Sequence, residues 1–330
     1  MHYGNSALFT PLEETSPDLR PFSSYSFNVV SSYLKTDRTD AMGTYSKLLR
    51  LKLTEAQLRQ QNYPRPHPSI SGKAQLHNMA NSVYKVMPSG IQRNCKRCSK
   101  VYAVGRDGTT LTKESCSYHP YRVGGGRAPI HRCCGRGLGA PPCRVASQHI
   151  SEDIDPNNLV GFVSTKDNHV GSESAYALDC EMVCTKAGLE LAAITVVDVG
   201  CNVVYETMVL PHNPIIDYLT EYSNLTSRDF IGVTTRIEDV HKNILKLIGR
   251  ETILVGHGME HDFLAIKLLH DNVVDTIVAY PHARGRGFRN SLSFLKERFL
   301  PRSFTTAGRG GLKSKEDAIA VMKLALLKCK

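Results

Sequence analysis

Ala175-Tyr176-Ala177-Leu178-Asp179-Cys180-Glu181-Met182-Val183 is the stretch on which the reading of this chain turns. It is strongly apolar, interrupted by two acids, and reads as a strand. Side chains on a strand alternate between faces, so Asp179 and Glu181 point the same way. Two carboxylates on one face of an apolar strand are costly unless a cation compensates them. Mg²⁺ or Mn²⁺ is the natural guest for hard oxygen ligands. An exposed sheet face would account for such a pair equally well if no further acid joined it.

Further acids are available downstream. Leu189–Val199 and Val203–Leu210 read as two more strands, joined by a Gly-Cys-Asn turn at 200–202. Ile237, Val240, Ile244, Leu247 and Ile248 give helical spacing over 236–248, and Thr252–Val255 reads as a short buried strand closed by Gly256. Residues 259–270 are expected to be helical, with Phe263, Ile266 and Leu269 on one face. Asp262 opens that helix, at the end of a buried strand where loops gather; its bland role is a first-turn acid favoured by the helix dipole. Val273–Ile277 reads as a strand, and Ser291–Phe299 and Ser314–Leu327 as helices. Asp317 lies at the third position of the last of these, where helix capping by Ser314 and Asp317 is the simplest local reading. Three meander strands followed by alternating helix and strand predict a mixed α/β sheet.

Taken together, ALDCEM (177–182), VGHGMEHDFLAIKLLH (255–270), VVD (273–275) and SKEDA (314–318) resemble the DEDD superfamily of 3′–5′ exonucleases. The specific likeness is to the RNA exonuclease 1/GOR-like subfamily, and it runs from about Leu49 to Leu324. The resemblance implies an α/β, ribonuclease H-like mixed sheet flanked by helices and preceded by a small zinc-binding Cys/His module. It also implies a mechanism. Asp179, Glu181, Asp262 and Asp317 would hold two divalent ions, Mg²⁺ or Mn²⁺, about 4 Å apart around the scissile phosphate, with RNA hydrolysed stepwise from a free single-stranded 3′ end. Nuclear RNA processing is the location and role implied, with the cytoplasm open. No membrane association is expected, because no run of 18 or more apolar residues occurs, and no basic n-region followed by an apolar stretch opens the chain as a secretory signal would.

Two departures from the family pattern stand out. In the histidine branch of the superfamily a His five residues before the last Asp acts as general base; that position is Leu312 here. Leucine accepts no proton, and general-base help is worth about 10²–10⁴ in rate. Leu219, Glu221 and Asn224 stand where the family has Asn, Arg and Gly, in a segment expected to border the terminal nucleotide. Among other histidines, His257 follows a buried strand, His261 projects about 100° away from Asp262, and His282 lies in a loop. Met182, His257, Arg284, Arg286, Phe288 and Arg289 are the expected substrate contacts, the loop residues by holding phosphates and stacking on a base; an exposed glycine loop with solvated charges is the plainer alternative.

The first half of the chain has a different texture. Residues 1–150 hold 21 Lys/Arg against 8 Asp/Glu, and residues 151–330 hold 20 against 23, within a total formal charge of +10. The basic half suits a polyanion. Six of the ten cysteines fall between Cys95 and Cys143. The pair Cys95 and Cys98, followed by Cys116 and His119, has the spacing of a four-ligand zinc knuckle. Cys133, Cys134 and Cys143 are left over with His131, and either replace one ligand or build a second site. The basic residues around the module (Arg93, Lys96, Arg97, Lys100, Arg122, Arg127, Arg132 and Arg136) suit sequence-independent phosphate contacts. The expected organisation is a disordered segment at 1–43, a helical and extended lead-in at 44–92, the basic zinc module at 93–150, a connector at 151–174 and the exonuclease domain at 175–330. The competing readings are a catalytically inactive RNA-binding relative and a zinc-stapled adaptor for proteins.

Overall fold

A computed structural model of the chain describes residues 38–79, 85–87, 89–120, 129–156, 159–170, 173–285, 287–301 and 312–329. The disorder expected for the N-terminal segment therefore falls largely outside the described residues, although its last part, from Arg38, begins a helix.

In chain order, α1 (Arg38–Leu49) and α2 (Glu55–Gln60) precede the short strands β1 (Arg65–Pro66) and β2 (Ala74–Gln75). The cysteine-rich region holds two hairpins: β3 (Gln92–Asn94) with β4 (Val101–Ala103), and β5 (Cys116–Tyr118) with β6 (Arg144–Ala146). After β7 (Val163–Ser164) the long strands β8 (Ala175–Thr185), β9 (Gly188–Asp198) and β10 (Val203–Met208) form the meander. Then come β11 (Ile215–Asp217), α3 (Thr220–Ser223), α4 (Ile237–Leu247), β12 (Ile253–Gly256), α5 (Glu260–Ala265), β13 (Leu268–Leu269), β14 (Val273–Asp275), α6 (Thr276–Ala279), α7 (Leu292–Phe299) and α8 (Lys313–Lys328).

The central sheet runs β10-β9-β8-β12-β14, with β11 also paired to β8. The meander pairs are antiparallel, while β8–β12 and β12–β14 are parallel. This is the mixed, ribonuclease H-like order expected, with β8 at its centre. The period of two along β8 sorts its side chains into two cores. Ala175 and Ala177 join Val197, Val255, Ala318, Val321 and Met322 under α8. Tyr176, Leu178 and Cys180 join Ile194, Val240, Ile244 and Phe263 under α4 and α5. Asp179 and Glu181 therefore fall on the α8 side.

Two local expectations are revised. The helix expected over 259–270 ends at Ala265; Lys267 takes a left-handed backbone (φ 51°), the His241 imidazole lies 2.6 Å from the Ile266 carbonyl, and Leu268–Leu269 pairs in parallel with β7 instead. The strand expected over Val273–Ile277 ends at Asp275, whose side chain caps α6. The lead-in packs into both cores. Leu48 is fully buried with the α8 core, while Leu53, Leu58 and Tyr63 complete the α4/α5 core. Among the described residues, no helix is long and apolar enough to cross a membrane.

Candidate active site and metal centres

The four acids come together from three elements. On β8, Asp179 and Glu181 share the α8 face. β12 pairs with β8 only as far as Val255↔Ala177, so the backbone N–H of Cys180 is left without a strand partner on that edge. The Asp262 carboxylate on α5 accepts that N–H at 3.0 Å, which fixes it against β8 where its charge reaches Asp179. Asp317, in the second turn of α8, arrives from the opposite layer. One ammonium, that of Lys313, lies 3.9 Å from Glu181 and 3.3 Å from Asp317, and Lys296 donates to Asp317 at 3.0 Å.

The electrostatics of the cluster follow from this crowding. Burial, then the neighbouring charges of Asp262, Asp317 and Glu181, push the Asp179 carboxyl well above its ordinary range. Burial pushes Glu181 up to about 7, against the opposing pull of Lys313. Burial likewise raises Asp262, although the Cys180 N–H works in the other direction. Glu181 Oε1 is buried with no hydrogen-bond partner. Four carboxylates face two lysines, so positive charge is what this pocket lacks. The donor set is all oxygen, which fits Mg²⁺ or Mn²⁺. The acids are not drawn into one tight shell: among the described residues, the groups whose ligand atoms all lie within 4.8 Å of one another are made of cysteine and histidine only.

The positions around the acids divide by role. Met182 is half-buried against the α4/α5 core. His257 lies 2.8 Å from the Thr276 hydroxyl, and burial lowers its ring below the ordinary value. Arg284 sits over the Phe288 ring at 5.5 Å, and His282 stacks on the same ring with centroids 5.5 Å apart. Phe288 itself is half-exposed. Arg286 lies outside the described residues, as does the glycine-rich loop at 307–311. Arg289 differs from expectation: it is ion-paired to the buried Glu260 and donates to Gln61 at 3.0 Å, so it clamps α5 to the lead-in rather than facing a phosphate. Leu312 packs against Val183 and Leu225, in an apolar cluster with Met208 and Phe230. Asp275 was not singled out by sequence reasoning. It is buried, accepting from the Tyr63 hydroxyl (2.7 Å) and the amides of Gly258 (3.0 Å) and Ile277 (2.9 Å), and so holds the loop that carries His257.

The Cys/His module departs from the expected ligand set. Cys95, Cys98 and Cys116 do gather, but the fourth member is His149, not His119. His119 stands with Cys133, Cys134 and Cys143. Residues three apart on an extended chain point to opposite faces, so a CxxH running off β5 cannot aim both side chains at one ion. In the first group Cys95 and Cys116 are 3.6 Å apart at sulfur, and Cys98 lies 3.3 Å from His149 Nδ1. Tetrahedral zinc bonds of about 2.0–2.3 Å give ligand–ligand edges of roughly 3.3–3.8 Å. His149 was missed because 33 residues separate it from Cys116, and only the β5–β6 pairing brings it back.

The module leans on the half of the chain that carries the acids. A cleft of about 620 Å³ lies between Lys96, Arg97 and Tyr118 on one wall and Asp217, Leu219 and Tyr222 on the other. Arg97 spans it to Asp217 at 2.6 Å, and Lys96 pairs with Glu152. These cations are thus occupied within the protein. Lys100 makes a further, exposed pair with Glu114 at 3.3 Å. Arg122 and Arg127 lie outside the described residues.

Comparison with known proteins accords with this architecture. Over 292 residues, 86% of its length, the chain is 38% identical to RNA exonuclease 1 homolog of Homo sapiens, of which it covers 24%. It is 37% identical to the putative exonuclease GOR of Homo sapiens over the same share of its length, covering 42% of that protein. Over most of its length the chain is thus similar to proteins named RNA exonuclease 1 and exonuclease GOR. Another relative is RNA exonuclease 1 of Saccharomyces cerevisiae, 39% identical over 185 residues, which are 56% of this chain and 33% of that protein. The chain spans a quarter to less than half the length of these relatives. Residues 22–81 match the ElonginA binding-protein 1 family model. Among solved structures, the Pan2 catalytic unit (protease and nuclease domain) of Neurospora crassa is similar at a TM-score of 0.42 and 22% identity, over 49% of this chain and 29% of that one.

Proposed function

We propose that the chain is an exoribonuclease that hydrolyses single-stranded RNA from its 3′ end, with Asp179, Glu181, Asp262 and Asp317 as its metal-binding and catalytic acids. The observation that carries this reading is the convergence of four acids, up to 138 positions apart in sequence, on one buried and under-compensated pocket. Mg²⁺ or Mn²⁺ bound there would lower the pKa of the attacking water and stabilise the departing 3′ oxygen. The chain supplies the rest. The Cys180 amide orients Asp262, and Lys296 and Lys313 offset part of the negative charge on Asp317. Phe288 offers a half-exposed ring for a base and Arg284 a cation for a phosphate. Zinc at Cys95, Cys98, Cys116 and His149 would staple the module that braces Asp217. Action in the nucleus is part of this proposal, from the subfamily alone.

A second reading, a catalytically inactive RNA-binding relative, draws on Leu312. The general-base position is held in an apolar cluster, where no side chain takes a proton. One assay separates the two. The first predicts Mn²⁺-dependent release of nucleoside 5′-monophosphate from a 3′-labelled single-stranded RNA, abolished by Asp179→Ala. RNA binding without cleavage above the Asp179→Ala control selects the second. If hydrolysis is limited only by the missing base, Leu312→His raises the rate by about 10²–10⁴.

A further inference from the structure

We propose that His119, Cys133, Cys134 and Cys143 form a second structural zinc centre, nested within the stretch of chain that closes the first. It is independent of the hydrolytic reading, since none of these residues touches the acids.

The distances are those of a metal shell. His119 Nδ1 lies 3.4 Å from Cys133 Sγ and 3.7 Å from Cys134 Sγ, and Cys143 Sγ lies 3.4 Å from Cys133 Sγ. All fall within the edge lengths of a tetrahedral Cys₃His site, roughly 3.3–3.8 Å. The other ring nitrogen, His119 Nε2, lies 3.2 Å from the Ala140 carbonyl. Donation there places the proton on Nε2 and leaves Nδ1 free for an ion, the arrangement that orients metal-bound histidines. The thiols are presented by a tight knuckle: the amides of Cys134 and Gly135 both donate to the His131 carbonyl, and Gly135 takes a left-handed turn (φ 69°). A disulfide explains the group less well. The closest sulfurs are 3.4 Å apart against about 2.05 Å for a bond, and any pairing would strand one thiol and the imidazole.

The topology couples the two centres. β5 gives Cys116 to the first centre, and His119, the residue after the strand, goes to the second. β6 follows Cys143 of the second centre and leads to His149 of the first, and the two strands pair through Cys116↔Ala146 and Tyr118↔Arg144. Closing the second centre thus sets the hairpin that delivers His149. The same centre holds His119 beside Pro120, whose carbonyl accepts the Tyr222 hydroxyl at 3.5 Å across the cleft.

The test is metal content of the full chain, purified under reducing conditions. Elemental analysis by mass spectrometry is expected to find two zinc ions per chain, with X-ray absorption showing an average shell of three sulfurs and one nitrogen. Cys133→Ser with Cys143→Ser is expected to leave one, held more weakly than in the parent; Cys95→Ser with Cys98→Ser also leaves one. A single zinc in the parent chain, lost on Cys95→Ser with Cys98→Ser, overturns the proposal. So does an intact mass showing a native disulfide among Cys133, Cys134 and Cys143. Should the variants aggregate, mercurial titration of the unaltered protein decides: two zinc ions released as six ligand thiols react support it, and one released refutes it.

Discussion

His270 provides a direct probe of the framework behind the acids. It follows β13 and is buried, with Nε2 2.8 Å from the Thr252 carbonyl and Nδ1 2.7 Å from the Thr165 hydroxyl. A carbonyl only accepts, so Nε2 carries the proton and Nδ1 accepts from the threonine. The neutral ring is fully satisfied and pins the base of β12, the strand that leads to His257 and Asp262. Burial lowers its pKa to about 4, well below the ordinary 6.5. The sign follows from that direction. Above about pH 6.5 neither the folded nor the unfolded ring is protonated, and the full stability is present. Between 6.5 and about 4 the unfolded chain takes up a proton that the native ring refuses, so stability falls as pH drops. At about pH 5 the loss from this ring is about 2 kcal/mol, approaching about 3 kcal/mol near pH 4. His270→Gln keeps one donor and one acceptor but does not titrate. Urea unfolding of the zinc-loaded chain at about pH 7.5 and about pH 5 measures the difference. The parent is expected to lose about 2 kcal/mol more than His270→Gln over that interval, other groups titrating equally in both. Equal losses, within about 0.5 kcal/mol, would refute the buried, neutral assignment.

Two further outcomes follow from the packing. Leu219 sits at φ 51°, a left-handed backbone that costs a branched side chain about 1 kcal/mol or more, so Leu219→Asn is expected to stabilise the fold by about 1 kcal/mol, read as a rise in thermal midpoint; a fall would show that the leucine side chain earns its place by packing. Leu48→Ala removes a fully buried side chain between α1 and the α8 core and is expected to cost about 2–5 kcal/mol in chemical denaturation; a loss below about 1 kcal/mol would detach the lead-in from the α8 core.

Local pattern revealed the elements that bear the acids, but not how their neighbours pair. The alternation in 175–183 placed Asp179 and Glu181 on one face, and the short apolar run before Gly256 located Asp262 at a strand end, because both signals are periodic and local. Arg289 illustrates the limit. In the sequence it is one of three arginines in a glycine loop, and nothing nearby reveals that Glu260, 29 positions earlier, is buried and waiting for a cation. His149 was hidden for the same reason, since its partners are reached only through a hairpin spanning another ligand group. Leu219 and Asn224 show a subtler case. Both departures from the family pattern occupy left-handed positions, at φ 51° and 60°. Asn224 replaces glycine with the residue that tolerates that backbone best after it, so the turn survives while the chemistry it would present has changed.

Those changes bear on how far the site has drifted from catalysis. Binding divalent ions and accepting a proton are separable tasks, and the proposed function treats them separately. For the binding task that proposal has its donors: four acids converge, Asp262 is fixed by a backbone amide, and Glu181 has a buried oxygen without a hydrogen-bond partner. Under the proposed function the proton-accepting task has no side chain at position 312, because Leu312 packs into an apolar cluster. Lys296 and Lys313 bring two positive charges against four negative ones, which leaves the pocket short by about the charge of one divalent ion. Had the site lost its use for metal, the inexpensive route would have been to replace one buried acid with a neutral side chain, since each carboxylate raises the cost of ionising the others. Four buried carboxylates held under that mutual strain suit a pocket shaped around a cation, as the proposed function requires.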